Sequence, residues 1–293
     1  HPNSRYIQFL QPCFLLSYAG FVHLRQISAG STVFSHQSGP LTYLIIKESD
    51  SVSKISCRLA VLQGGFSFEQ IAIVSLQQNL SSYTNMLTAL HCSFRIIRCT
   101  DSLSPLSDGL LLPGSRDCTP QLYGQKNNSS RSLCLEEDLL QLSAFDRYCH
   151  AGRPILGIGK GMHLINIAAG GSLRQHIGHY PHDAVRICSP LRTESFERFH
   201  ETSISEGSML EALYGTSLLV NSSHHQALDR IGSRLDCVQS AFDGCPEAVQ
   251  HRSLPILGVQ WHPERLLPIK GKTDCPSPLA DGSLLFRLFL AFV

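Results

Sequence analysis

The chain is 293 residues long, with 24 Lys and Arg against 23 Asp and Glu, a formal net charge of +1, 43% hydrophobic and 16% charged residues. That balance excludes a disordered, charge-rich protein, because enough apolar side chain is present to offset the entropy of ordering. It also argues against nucleic acid as the main partner, which needs a concentrated surplus of Lys and Arg. At roughly 150 residues per domain the length fits two domains or one larger one. The 11 Cys form no C-x-x-C pair. Neither a zinc ribbon nor a disulfide scaffold is therefore expected, and reduced thiols in the cytoplasm are the simpler reading. The first residue is His1 rather than Met, so a trimmed or processed start is expected. The apolar stretch from Tyr6 to Leu24 is interrupted by Gln8, Gln11, Pro12 and His23. It falls short of the about 20 apolar residues of a spanning helix, and no membrane role is expected.

Residues 1–68 carry no recognisable chemistry. Leu41–Lys47 and Cys57–Gln63 read as short strands, and the segment is expected to be an N-terminal extension that could serve as a protein contact surface. From residue 69 onward the pattern changes. Ile71–Leu76 reads as a buried strand and Ser82–His91 as a helix capped by Ser81 or Ser82. Phe94–Arg98 and Gly109–Leu112 read as further strands, the latter stopped by Pro113-Gly114. Leu133–His150 reads as an amphipathic helix with Leu135, Leu139, Leu142 and Phe145 on its apolar face and acidic residues early. Ile155–Ile158 is a fourth strand, Met162–Ala169 a helix closed by Gly170-Gly171, and Ser283–Phe292 a final helix. Strands alternating with helices imply an α/β fold, a mostly parallel sheet with helices on both faces.

Between the fourth strand and its helix runs Gly157-Ile158-Gly159-Lys160-Gly161. Glycines there permit a tight turn whose tip is displayed at the carboxyl end of the sheet, beside a helix N-terminus. In nucleophile-elbow enzymes that tip carries Ser or Cys. The glycine pattern alone is a weak signal: it could be a phosphate-binding loop, but a plain tight connection is the commoner case.

Four segments in order make it more specific: GLLLPGSRDCTPQLYGQ at 109–125, GRPILGIGKGMHLINIAAGGSL at 152–173, VNSSHHQALDRIG at 220–232 and LGVQWHPE at 257–264. Together they resemble class I glutamine amidotransferase-like proteins, closest to the gamma-glutamyl hydrolase and gamma-glutamyl-GABA hydrolase branch, the C26 peptidases. The resemblance covers about residues 70–293 and implies the flavodoxin-like amidotransferase fold. It also implies thiol-dependent hydrolysis of a gamma-glutamyl amide, with glutamine or a gamma-glutamyl compound as the small-molecule partner and no cofactor or metal.

By resemblance, His262 would move the proton and Glu264 would orient it. Their i, i+2 spacing around Pro263 suggests an extended segment. Backbone N–H groups at Lys160 and Ser115, in the Gly114-Ser115 turn, would hold the oxyanion, and His224, His225 and Gln226 would lie near the glutamyl pocket. A hydrogen-bonded turn is the equal alternative for those three. The nucleophile position is Gly159 where the family has Cys, Lys160 replaces the usual Arg, and His163 the usual Gln. Three departures at one turn point to drift after catalysis ceased to matter. An engineered change at Gly159, a rescuing group such as Cys118, Cys149 or Cys188, or a non-catalytic binding module are the alternatives. His176, His179 and His182 look metal-like by spacing, but Tyr180-Pro181 interrupts any helix that would align them, and no metal site is expected.

Overall fold

The computed structural model describes residues 70–178, 198–266 and 279–293 with their side chains, and the backbone alone of Phe196, Glu197 and four strands: Ser31–Ser38, Leu41–Ser49, Ile55–Val61 and Val185–Cys188. In chain order the elements are β1 (Ser31–Ser38), β2 (Leu41–Ser49), β3 (Ile55–Val61), β4 (Gln70–Val74), α1 (Ser81–Ala89), β5 (Ser93–Ile97), β6 (Gly109–Leu112), α2 (Leu135–His150), β7 (Ile155–Ile158) and α3 (Lys160–Ala168). There follow β8 (Leu173–Arg174), β9 (Val185–Cys188), β10 (Phe196–Ile204), α4 (Met209–Tyr214), β11 (Ser217–Ser222), β12 (Ala227–Leu228), β13 (Leu235–Ala241), β14 (Pro246–His251), β15 (Ile256–Val259) and α5 (Gly282–Leu290).

Two compact units result, His1–Ser67 and Phe68–Val293. In the first, β1, β2 and β3 form an antiparallel sheet in that order. In the second, a ten-stranded sheet runs β11-β10-β13-β14-β15-β7-β6-β4-β5, with β9 beside β10. Strands β5, β4, β6, β7 and β15 are parallel to one another; β14, β13, β10 and β11 extend the sheet antiparallel.

The parallel strands are short apolar runs because both of their faces are covered. In β4, Ile71 and Ile73 join one core with Met86 and Leu87 of α1 and Phe286 and Phe289 of α5. Ala72 and Val74 join the other, with Leu140 and Tyr148 of α2 and Ile165 of α3. The period of two along the strand thus feeds two helix layers.

Helix α3 is central and buried from Lys160 to Ile167. It can approach β6 only because Gly161 has no side chain: a Cβ there would lie 2.1 Å from the Leu112 carbonyl oxygen. The helix starts two residues earlier than Met162, so Gly159 itself is its N-cap.

Two sequence expectations need correction. Neither Ser81 nor Ser82 caps α1. Ser81 is already helical, and the side chain of Asn79, two residues earlier, accepts from its N–H at 3.0 Å and its hydroxyl at 2.7 Å. In α2 the apolar periodicity is half right: Leu142 and Phe145 are partly buried against the core, but Leu135 and Leu139 are not. Leu135 and Leu139 are about half exposed, at 49% and 51%, while Glu137, Asp138 and Gln141 are buried with Leu140, Ala144 and Tyr148. The reason is that the buried polar side chains have specific partners. Gln141 donates to the Val74 carbonyl at 2.8 Å, and the two carboxylates hold Lys160.

Candidate active site

Three neighbouring parallel strands, β6, β7 and β15, end side by side, and the turns leaving them build the site. The turn after β7 bends at Gly159, with φ +54° and ψ −111°, a conformation that L side chains rarely adopt. Its N–H donates to the Val259 carbonyl of β15 at 2.7 Å, and its own carbonyl accepts the His163 N–H at 3.2 Å. Space beside it remains open to a side chain. A Cβ built on Gly159 would stand 3.6 Å from both His262 Cε1 and Gly114 Cα and 3.9 Å from the Gln260 carbonyl, all ordinary contacts.

After β15 the chain does not stay extended, contrary to the spacing argument. Pro263–Arg265 form a single 3₁₀ turn with Pro263 at its first position, where a missing N–H costs nothing. That turn brings Glu264 Oε1 to 2.9 Å from His262 Nδ1. Asn221 of β11 grips the backbone of His262 from both sides. Its Oδ1 accepts the His262 N–H at 2.8 Å and its Nδ2 donates to the His262 carbonyl at 3.2 Å. Arg265 Nε lies 3.4 Å from the same Glu264 oxygen.

The third turn, after β6, carries Gly114 and Ser115. The Gly114 N–H donates to the Tyr83 hydroxyl at 3.0 Å, and its carbonyl accepts from Gln77 Nε2 at 2.7 Å. Burial, with the charge of neighbouring Glu264, holds the Tyr83 hydroxyl well above its ordinary pKa, so it stays protonated. Ser115 Oγ donates to Glu137 Oε2 at 3.1 Å. Lys160 opens α3, so its N–H belongs to the first helical turn, where helices leave donors for outside acceptors. Its side chain points away into the protein, 2.7 Å from Asp138 and 3.2 Å from Glu137. Burial works against the Lys160 charge, but the two carboxylates outweigh it and raise its pKa.

A cavity of about 740 Å³ opens over these turns. Gly114, Ser115, Gly159, Lys160 and His262 line one side. His224, His225 and Gln226 line another. Glu264 stands behind His262 with a fully buried carboxylate. The nine sequence-predicted residues are thus brought together around one space.

Within the His224–Gln226 group the roles differ. His225 Nε2 lies 3.0 Å from Asp117 Oδ2, and Gln226 Nε2 donates to Ser130 Oγ at 2.8 Å. His224 has its Nδ1 2.9 Å from the Gln226 carbonyl and its Nε2 3.6 Å from Glu247 Oε1. Glu247 is fully buried and also lies 3.4 Å from His200 Nε2. Burial opposes its charge, yet hydrogen bonding to the two histidines brings its pKa down to about 2. His224 is shifted upward in turn, because Glu247 outweighs its burial.

Among the described residues the cavity lining includes no Cys. Cys118 is buried in the α2–α3 core, where burial pushes its thiol pKa up, and Cys149 packs against the same core from α2. The side chain of Cys188 lies outside the described residues, as do His179 and His182. His176 instead pairs with His225, with their Nδ1 atoms 3.2 Å apart. Among the described residues no group of His, Cys, Asp and Glu could hold a metal ion, and no helix is long and apolar enough to cross a membrane.

Tyr83, Asn221, Glu137, Asp138 and His200 were not singled out from the sequence. Asn221 lies inside VNSSHHQALDRIG but was given no role there; the other four sit in no such segment, and Tyr83 reads as an ordinary core aromatic. Glu247 lies in β14, outside the four segments that carry the resemblance.

The Peptidase C26 family model matches residues 97–264. The gamma-glutamyl-gamma-aminobutyrate hydrolase PuuD of Escherichia coli K12 is 34% identical over 170 residues, 56% of this chain and 66% of that protein. The glutamine amidotransferase-like protein YvdE of Lactococcus lactis is 32% identical over 160 residues, 54% of this chain and 66% of its own length. The chain therefore spans just under two thirds of these relatives. A GMP synthase-type protein from Thermoplasma acidophilum superposes with a TM-score of 0.54 at 17% identity, covering 78% of this chain and 95% of that one. At that identity the likeness speaks for the class I amidotransferase fold.

Proposed function

The chain belongs to the peptidase C26 family, and from that premise we propose that residues 68–293 form a gamma-glutamyl-binding domain whose thiol-dependent amide hydrolysis is closed by Gly159. The hydrolases of this kind attack a gamma-glutamyl amide with a Cys thiolate, and glycine cannot form the thioester. One observation carries the reading. A side chain placed on Gly159 meets only ordinary contacts, and the nearest are the turn at Gly114 and the ring of His262, itself tied to Glu264. Base, orienting carboxylate and oxyanion turns thus converge on a position where the sequence supplies no nucleophile.

In this reading His262 and Glu264 are the proton-transfer pair, and the N–H groups of Lys160 and Ser115 are the oxyanion donors. The cavity beside His224, His225 and Gln226 takes the gamma-glutamyl part of a small molecule. Residues 1–68 are a candidate contact surface for another protein, and a reduced, cytoplasmic setting fits cysteines that form no C-x-x-C pair.

The test is hydrolysis of a gamma-glutamyl amide by the unmodified chain and by Gly159→Cys, with calorimetry of the same compound. The unmodified chain should bind the compound without cleaving it. The Cys variant should cleave at least roughly 10³-fold faster. Thiol-dependent cleavage by the unmodified chain, or no binding by either protein, would overturn the reading.

A further inference from the structure

We propose that the unmodified chain hydrolyses activated gamma-glutamyl esters by direct attack of water, held beside Gly159 and deprotonated by His262. This goes beyond the proposed function while resting on its assignment of the gamma-glutamyl site. A site that loses its nucleophile usually either collapses or lets its base drift out of line. Here neither has happened. The Gly159 Cβ position is 3.6 Å from His262 Cε1 and 3.9 Å from the Gln260 carbonyl oxygen, so the space a side chain would fill lies between the imidazole ring and a backbone acceptor. Beyond it lies the 740 Å³ cavity, which supplies more than the roughly 30 Å³ a water occupies in the liquid.

The base is held as firmly as a thiol-dependent reaction would need. With Nδ1 hydrogen-bonded to Glu264 Oε1 at 2.9 Å, the proton belongs on Nδ1 and the lone pair on Nε2. Asn221 fixes the His262 backbone with two hydrogen bonds, so removal of the reaction partner has not freed the ring. In the proposed reading the N–H donors at the start of α3 serve the carbonyl oxygen whichever nucleophile attacks.

The step balances with water as the only co-reactant. The water oxygen bonds to the gamma-acyl carbon as Nε2 takes its proton. The tetrahedral adduct then breaks its bond to the ester oxygen, and the proton on Nε2 passes to the departing alkoxide or phenoxide. The products are an alcohol or phenol and the free gamma-carboxylic acid, which ionises by releasing its proton to solvent. Esters are the class that fits. Without a covalent intermediate to divide the barrier, a single displacement by water needs a better leaving group than an amine.

The experiment follows release of nitrophenol from the gamma-(4-nitrophenyl) ester of L-glutamate by the full chain. The expected result is a kcat/KM about 100-fold above that of His262→Ala, the lower end of general-base effects. Gly159→Ala, whose methyl occupies the water position, should fall at least 10-fold. Acid-quenched unmodified protein should carry no acyl adduct by mass. His262→Asn, checked for an unchanged unfolding midpoint, replaces His262→Ala should that variant misfold. Equal rates for the unmodified and His262 variants, or an acyl adduct on the unmodified chain, overturn the proposal. Gly159→Cys on the gamma-glutamyl amide separates the two levels. If it cleaves while the unmodified chain fails on the ester, water attack is wrong and the site assignment stands; if it too fails, the site assignment falls.

Discussion

His163 shows how one residue changes the behaviour of a site. Its ring is fully buried and its Nε2 lies 2.8 Å from Gln260 Oε1. Burial pushes its pKa from 6.5 down to about 4. In the unfolded chain the ring takes up a proton near pH 6.5, but the folded protein resists until about pH 4. Between those values the unfolded state binds more protons, so stability falls as pH falls, by up to about 3 kcal/mol, with no further loss from this group below pH 4. His163→Gln removes the titrating ring and keeps an amide able to meet Gln260. Denaturant titrations at pH 7 and pH 4 should show a loss of stability smaller by about that amount in the variant. Equal losses would mean that His163 is not held neutral. At this scale the sequence was most legible where chemistry sits in a short motif: Gly159, His262 and Glu264 are each named by their immediate neighbours. Tyr83 was not, because its hydrogen bond with backbone leaves no pattern along the chain, and Asn221, though inside VNSSHHQ, holds His262 through backbone contacts that the motif does not spell out.

Helix α2 is where periodicity was least reliable. The pattern of leucines placed Leu135 and Leu139 inward, yet the inward face carries Glu137 and Asp138. Hydrophobic periodicity assumes that burial follows apolarity, and it fails where a buried cation supplies partners. Lys160 is that cation, and it ties the first turn of α2 to the first turn of α3 beside the Ser115 turn. Lys160→Met would leave two carboxylates in the interior without their counter-charge. It should destabilise the protein by about 3–5 kcal/mol, whereas Lys160→Arg keeps the charge and should cost much less. Chemical denaturation of the two variants checks this, and a Met variant as stable as the Arg variant would contradict it. Strand and helix identities in this region were otherwise legible. The fully covered strands are short apolar runs between turn residues, and α3 ends at Gly170, whose φ of +84° suits its place after the helix.

Across the whole molecule, the motifs lie far apart in the chain and meet because β6, β7 and β15 are neighbours in the sheet. The order of motifs could be read from the sequence, and the α/β character followed from alternating strands and helices. The strand order of the antiparallel extension was not legible, since it depends on pairings between distant segments. That extension contributes Asn221 from β11, His200 from β10 and Glu247 from β14, which support the site from behind. The proposed function stands on this arrangement being ready for a thiol that the sequence lacks. Trapping tests that readiness: Gly159→Cys is treated with a chloroketone analogue of glutamine, and the adduct is located by peptide mass. We expect a single fast adduct at position 159, slowed about 100-fold when His262→Ala is added, as loss of a general base would do. A folded Cys variant that reacts no faster there than at its other thiols, or whose reaction ignores the loss of His262, would contradict it.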